Sequence, residues 1–462
     1  MRKNIGGKAI ASGGFGCVFN PAIKCKTRKN KDAGITKLMK IKYAKAEYKE
    51  ILEIKALLDD IPNYNDYFLL DGFSLCKPEE LTKEDLEKFD KKCKSLRKID
   101  ITSTNVNQSL DKLLSLNMPF GGIDVGDYIE KEKMDYKKIH KMNAALIELL
   151  KNGIVPMNQR DVFHCDIKDS NILVKDDGNA GVKTRLIDWG LSTTYKNGGN
   201  IPKQLTNRPF QFNVPFSVVI FNDTFSKMYT EFLKKNKEPS FFNIRSFVIN
   251  YVISWVNKRG PGHLKAINSI FKEFFERGLI NIEEQFKEDL IEFDYTFYFI
   301  FEYISYVLFK FTRDGRFEKM EYFSEVFLKN LDIWGFTMTY LPILEYLSGY
   351  YNKLCDCELE IIEKIKELIL YVIGCSYVPV DVDKIVVKLE DLNALFLKAD
   401  KKTTAHFQEK RETSSLTQSK TKTKTKTKTK TKTSKSSSKS KTKRTYKKSK
   451  SSSRNKTSKH SI

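Results

Sequence analysis

His164-Cys165-Asp166-Ile167-Lys168-Asp169-Ser170-Asn171 is the stretch on which the reading of this chain turns. It is a polar loop carrying carboxylates, an ammonium and a carboxamide, and the apolar run Ile172-Leu173-Val174 follows at once. The sequence NILVKDDGNAGVKTRLIDWG (171–190) then reads as a β-hairpin, because ILV and TRLI flank a DDGNAG turn. It ends on Asp188-Trp189-Gly190, seventeen residues after Asn171; taken alone, that tripeptide is a turn after a strand. On either side the pattern is helical, from Tyr136 to Lys151 and through most of Phe216 to Leu397. Stripes such as SFVINYVISWV (246–256) and IIEKIKELILYVI (361–373) have the spacing of buried helix faces.

Toward the N-terminus the period shortens. KAIAS, GCVFNPAI and GITKLM between Lys8 and Met39 predict three antiparallel strands. Ala44 to Leu58 predicts a helix with Glu47, Glu50 and Glu53 at three-residue spacing, ended by the turn formers of IPNYND. YFLLDGFSLC resumes as strand, 77–109 reads as a charged, partly helical insertion, and LLSLNMPFGG as a last strand running into a glycine-containing connector.

Composition limits what these motifs can mean. The chain has 462 residues and 40% hydrophobic content, enough for a sizeable core. Its formal charge of +23 is concentrated at one end: residues 413–462 hold 18 Lys and Arg and no Asp or Glu, which leaves +5 on the first 412. From Lys420 the sequence KTKTKTKTKTKTKT gives way to a Ser/Lys-rich end that has too little apolar surface to fold. The eight cysteines are widely scattered, so reduced thiols in an intracellular compartment are expected. No apolar leader is evident at the N-terminus, so secretion is not expected. The most apolar stretch, Tyr295 to Phe309, is short for a bilayer and holds Glu302, so a buried helix is expected there and no membrane contact.

In type and order these segments resemble Ser/Thr protein kinases from about Ile10 to Ser192. The loop at 164–171 resembles that family's catalytic loop, H-R-D-L-K-x-x-N. The resemblance implies that Asp166 accepts or orients the proton of an attacking hydroxyl, Lys168 offsets charge on the moving phosphoryl and Asn171 binds Mg2+. It also makes His164 a structural residue at the loop base. Asp188-Trp189-Gly190 resembles D-F-G, which implies a metal-binding Asp188 and a packing role for Trp189. Ala11 to Val18 resembles the phosphate-covering G-x-G-x-x-G-x-V, with Ala11 for the first Gly, and implies that Ser12, Gly13, Gly14, Gly16 and Val18 surround the nucleotide. Lys37 matches the V-A-I-K lysine that holds the α- and β-phosphates, with Lys40 and Lys42 nearby. Its partner is expected on the following helix, with Glu50 preferred over Glu47 and Glu53. The adenine is expected between Met118 and Gly122.

The implied fold is α+β and two-lobed. A small β-rich N-lobe with one key helix spans 1–118 and includes the insertion, a large helical C-lobe spans 119–400, and a disordered basic tail spans 401–462. The implied activity is transfer of the ATP γ-phosphate to Ser or Thr of a protein substrate, with ATP and Mg2+ as cofactors. IPNYNDYF, NMPFGG and RPFQFNVPFS are similar to segments of divergent kinases encoded by large DNA viruses.

The chain also departs from the family. Cys165 stands where an Arg commonly pairs with an activation-segment phosphate, which argues against that form of control. Asn207-Arg208-Pro209-Phe210-Gln211-Phe212-Asn213 occupies the place of A-P-E, and no D-x-W-x-x-G is evident later. Three other readings compete. A pseudokinase scaffold is disfavoured because Lys37, Asp166, Asn171 and Asp188 are all present; a small-molecule kinase of the aminoglycoside phosphotransferase type is disfavoured by Lys168. The third is a nucleic-acid binder acting through the tail, which has the charge for salt-sensitive polyanion contact but only Tyr446 to stack on a base.

Overall fold

Strands β1 (Lys8–Ser12), β2 (Gly16–Asn20) and β3 (Ile35–Lys40) pair antiparallel as their patterning predicts, and β5 (Leu113–Met118) and β4 (Ser74–Cys76) extend the sheet in the order β1-β2-β3-β5-β4. This computed structural model describes residues 7–12, 15–26, 34–178, 181–279 and 281–420. Gly13, Gly14, part of the DDGNAG turn and residues 421–462, where most of the tail was expected, lie outside the described residues. The chain divides into two units, 1–405 and 406–462. The last helix, Val382–Lys420, continues through residues that composition assigned to the tail.

Register decides which face each side chain takes, since neighbours along a strand alternate. Val18 lies opposite Lys37, and Lys37 opposite Leu116, so these three share one face. Cys17, Phe19, Leu38 and Leu113 take the other, where the 77–109 stretch covers them with Leu81, Phe89, Leu96, Ile101 and Val106. The charged insertion is therefore a second small core laid over the sheet. It is built from three one-turn helices, Lys83–Leu86, Phe89–Lys92 and Lys94–Arg97. Folding back in this way brings Cys17 to Cys93 and Cys25 to Cys76, with Cα–Cα distances of 4.9 and 5.8 Å, and both pairs are disulfide-bonded. The expectation of reduced thiols throughout is thus overturned for four of the eight cysteines; Cys165, Cys355, Cys357 and Cys375 form no disulfide.

Helix α1 (Ile41–Leu58) starts directly after β3 and buries Ala44, Ile51, Ile54 and Leu58. YFLLDGFSLC is mostly not strand: Gly72 turns at φ +78° and only Ser74–Cys76 joins the sheet. Beyond β6 (Ile123–Asp124) the chain is mainly helical, so the fold is α+β with a small antiparallel sheet and a helical C-terminal part. The expected hairpin is present as β8 (Ile172–Asp176) and β9 (Val182–Leu186), with β6 alongside β8. Just upstream, β7 (Val162–Phe163) pairs with β10 (Thr193–Thr194), which closes the chain around the 164–171 loop.

Aromatic rings dominate the helical core, with Tyr229, Tyr251, Tyr322 and Trp334 all at 2% exposure or less. The apolar Tyr295–Phe309 stretch lies mostly in helix Phe297–Phe311, and its Glu302 pairs with Arg245 at 2.5 Å. Among the described residues, no helix is long and apolar enough to cross a membrane.

Candidate active site

The 164–171 loop is held from below by a carboxylate that the sequence gave little reason to expect there. Asp332, inside helix Leu328–Met338 and 1% exposed, accepts hydrogen bonds from the backbone N–H of His164 at 2.8 Å and of Cys165 at 2.9 Å, and from Asn158 Nδ2 at 2.8 Å. Cys165 takes a left-handed φ of +62°, so two successive N–H groups turn toward one acceptor. Gly335 allows the helix to lie directly under the loop, because a Cβ there would stand 2.5 Å from Ile167 O. Asp332-Ile333-Trp334-Gly335 therefore anchors the loop; it departs from D-x-W-x-x-G in having the glycine immediately after the tryptophan. His164 is fully buried, its Nε2 pairs with Ile187 O at 2.9 Å and its ring packs 4.9 Å from Trp189. Both side chains thus join the loop to the backbone just before Asp188.

Asp166, Lys168 and Asn171 converge as the sequence implied. Lys168 Nζ donates to Asp166 Oδ2 at 2.8 Å, and Asn171 Nδ2 donates to the Asp166 carbonyl at 2.8 Å and to Oδ2 at 3.1 Å. Burial pushes the Asp166 carboxyl up, but the Lys168 ammonium and the hydrogen bonds from Lys168 and Asn213 outweigh it and hold the group below its ordinary value. It is therefore ionised at neutral pH.

Asp188 sits at φ +64° with an exposed carboxylate that makes no hydrogen bond or ion pair to any described residue. Asn171 has its amide nitrogen engaged by Asp166, which leaves Oδ1 as the atom it could offer a cation. Oxygen donors of this kind are those that could hold a hard cation such as Mg2+.

Lys37 reaches both carboxylate oxygens of Glu47, at 2.7 and 2.8 Å, and not Glu50. The choice depends on the phase of α1. It begins at Ile41 with no intervening loop, which turns Glu47 toward β3; three residues on, Glu50 is rotated some 60° around the axis and displaced about 4.5 Å along it. Burial, together with the charges of Glu47, Glu53 and Asp188, pushes the Glu50 carboxyl above the usual range. Glu53 pairs with Lys49 and Lys42 stands over the Tyr43 ring.

The other expected nucleotide contacts are distributed around this pair. Val18 flanks Lys37 across the register, and Met118 ends β5 opposite Ile35. Gly16 has a packing reason to be glycine, since a Cβ would meet Met39 Cγ at 2.3 Å. Ser12 has its hydroxyl bonded to Ser95 Oγ at 3.1 Å. Gly13 and Gly14 lie outside the described residues.

Two residues of the 207–213 segment reach the loop, and sequence spacing gave no notice of either. Arg208, 7% exposed, donates from Nη1 to Cys165 O at 2.9 Å, so a cation from this segment stands beside the position where the family carries its loop arginine. Asn213, 1% exposed, donates from Nδ2 to Asp166 Oδ1 at 2.9 Å and to Ile167 O at 3.1 Å. The segment is tied down by Trp255 Nε1 on Arg208 O and Trp334 Nε1 on Phe212 O, at 3.1 and 2.8 Å. Asn213→Leu should therefore lower kcat roughly tenfold with little change in KM for ATP, a hydrogen bond to a charged group being worth about 1.5–3 kcal/mol. Losing a donor that holds the Asp166 carboxyl down should also move the acid limb of the pH–rate profile upward. An unchanged kcat and acid limb would remove Asn213 from the arrangement.

No family model matches the chain. Over 77 residues, 17% of its length, it is 38% identical to the Serine/threonine-protein kinase ppk6 of Schizosaccharomyces pombe, and the match spans 9% of that protein. The likeness is thus to a short part of a Ser/Thr protein kinase.

Proposed function

We propose that this chain is a two-lobed, ATP- and Mg2+-dependent protein kinase that phosphorylates Ser or Thr, with lobes at 1–118 and 119–400. The observation that carries the reading is the convergence of Asp166, Lys168 and Asn171 on a loop pinned by Asp332. An ionised, oriented carboxylate is suited to accept the proton of an incoming hydroxyl. Lys168, bonded to the same carboxylate, supplies positive charge where the phosphoryl group transfers, and Lys37, fixed by Glu47, supplies it toward the α- and β-phosphates. Asn171 and Asp188 would hold Mg2+, which supplies charge neutralisation between the phosphates.

The presence of every one of these groups favours an active enzyme over a scaffold, and Lys168 favours a protein over a small-molecule acceptor. The closer likeness to large-DNA-virus kinases rests on the quoted sequence segments alone. Polyanion contact by the basic end is a separate proposal, with its charge as sole support.

Incubation of purified protein with labelled ATP, Mg2+ and generic basic or acidic protein acceptors, followed by hydrolysis, tests the activity. Label is expected on phosphoserine or phosphothreonine. Predominant phosphotyrosine would refute the Ser/Thr assignment, and no transfer to any acceptor would favour the scaffold.

A further inference from the structure

The turn between β1 and β2 has two feet, and both are tied to the insertion. Ser12 and Cys17 are the last paired residues before that turn. Ser95 N donates to Ser12 Oγ at 3.1 Å, and Ser95 Oγ donates to Gly16 O at 2.7 Å. One residue along, Cys17 is bonded covalently to Cys93. Underneath, Phe89 and Leu96 of the insertion pack in one cluster with Phe19 and Leu38 of the sheet, the Phe19 and Phe89 rings lying 6.2 Å apart. Neither Cys93 nor Ser95 belongs to any motif that the nucleotide site requires.

We propose that Cys93 and Ser95 are positioning residues for nucleotide binding: the insertion clamps the feet of the phosphate-covering turn, and the Cys17–Cys93 disulfide makes ATP affinity depend on the thiol redox state. The inference rests on the kinase reading above. Ordering backbone around a ligand costs about 1–2 kcal/mol per residue in backbone entropy. Anchoring both strands at the base of the turn removes part of that cost before the nucleotide arrives, which is how preorganisation raises affinity.

The redox step balances with a dithiol as reductant. One thiolate attacks a sulfur of Cys17–Cys93 and forms a mixed disulfide, the second thiolate displaces it, and the products are two cysteine thiols and the dithiol's own disulfide. Cys17 and Cys93 are both fully buried, so exchange requires the insertion to lift from the sheet. The second disulfide provides an internal control. Cys25–Cys76 joins the segment after β2 to β4, where Asn117 Nδ2 donates to both sulfurs at 3.3 and 3.2 Å.

The test uses the full chain purified without reductant, with thiols mapped by alkylation, and compares wild type, Cys93→Ser, Ser95→Ala and Cys76→Ser. Mg-ATP Kd by calorimetry, KM for ATP, kcat at saturating ATP and Tm are measured for each, and for dithiol-treated wild type. Cys93→Ser and the reduced wild type are expected to bind Mg-ATP about five- to thirtyfold more weakly, the worth of ordering one residue of backbone. Ser95→Ala should show a smaller loss in the same direction, and kcat should hold within about twofold, because the clamp touches no reacting atom. Cys76→Ser should lower Tm without weakening Mg-ATP binding. Equal Kd values in wild type, Cys93→Ser and Ser95→Ala would overturn the clamp, as would equal weakening by Cys76→Ser or alkylation of Cys17 and Cys93 as free thiols. Wild type that binds no Mg-ATP in either redox state would remove the kinase reading, and the clamp with it. If Cys93→Ser does not fold, Ser95→Ala and the dithiol titration still decide.

Discussion

Asp166→Asn is expected to lower phosphotransfer by about two to four orders of magnitude, the range for loss of a positioned proton acceptor, while Mg-ATP binding stays within a few-fold of wild type. The substitution changes little in volume but inverts the hydrogen bonding. In the native site both carboxylate oxygens accept, Oδ1 from Asn213 and Oδ2 from Lys168 and Asn171. A carboxamide must turn its own NH2 toward one of those donors, and it cannot accept a proton from the substrate hydroxyl. Asp188→Ala should fail differently. That carboxylate is exposed and unpartnered among the described residues, so Tm should hardly move, whereas Mg2+-dependent nucleotide affinity should fall. Turnover and nucleotide Kd measured with and without Mg2+ separate the two defects. Wild-type turnover in both variants would mean that the chemistry lies elsewhere or that the measured activity is a contaminant's.

The second large effect is expected far away in sequence. Asp332→Ala should destabilise the protein by about 2–6 kcal/mol, since it strands two buried backbone N–H groups, each costing about 1–3 kcal/mol when left unsatisfied. Against a typical total of about 5–15 kcal/mol, much of the protein would be unfolded at physiological temperature. At temperatures where the variant still folds, kcat should fall as well, because the Asp332 bonds fix the backbone that carries Asp166. Asp332→Asn keeps one acceptor oxygen and should be milder on both counts. Denaturant unfolding paired with kcat at low temperature is the measurement. A variant as stable and active as wild type would show that the loop is held by other contacts.

The clearest sequence signals were those whose partners lie close along the chain. Asp166, Lys168 and Asn171 fall within six residues, and a short loop can bring them together through local backbone geometry alone. The β8–β9 hairpin and the first three strands were legible for the same reason, since alternation and turn residues act over a few positions. Lys37 was also identifiable from its strand context. Its partner was not, because three glutamates at three-residue spacing differ only in the phase of α1, and that phase is set by how the helix packs against the sheet. The 77–109 stretch looked like charged surface because its apolar residues are spaced too irregularly for one helix. They become a core only when three short turns lie over the outer sheet face.

Sequence by itself thus determined the α+β class and the local grouping of Asp166, Lys168 and Asn171. Tertiary structure alone decided the Lys37–Glu47 pair, the disulfides between cysteines 76 and 51 residues apart, and the support of Asp166 by Asn213 and of its loop by Arg208 and Asp332. The physical reason is range. Backbone propensities and turn chemistry act between near neighbours, whereas a buried carboxylate finds its donors, and a thiol its partner, only after apolar burial has brought distant segments into contact.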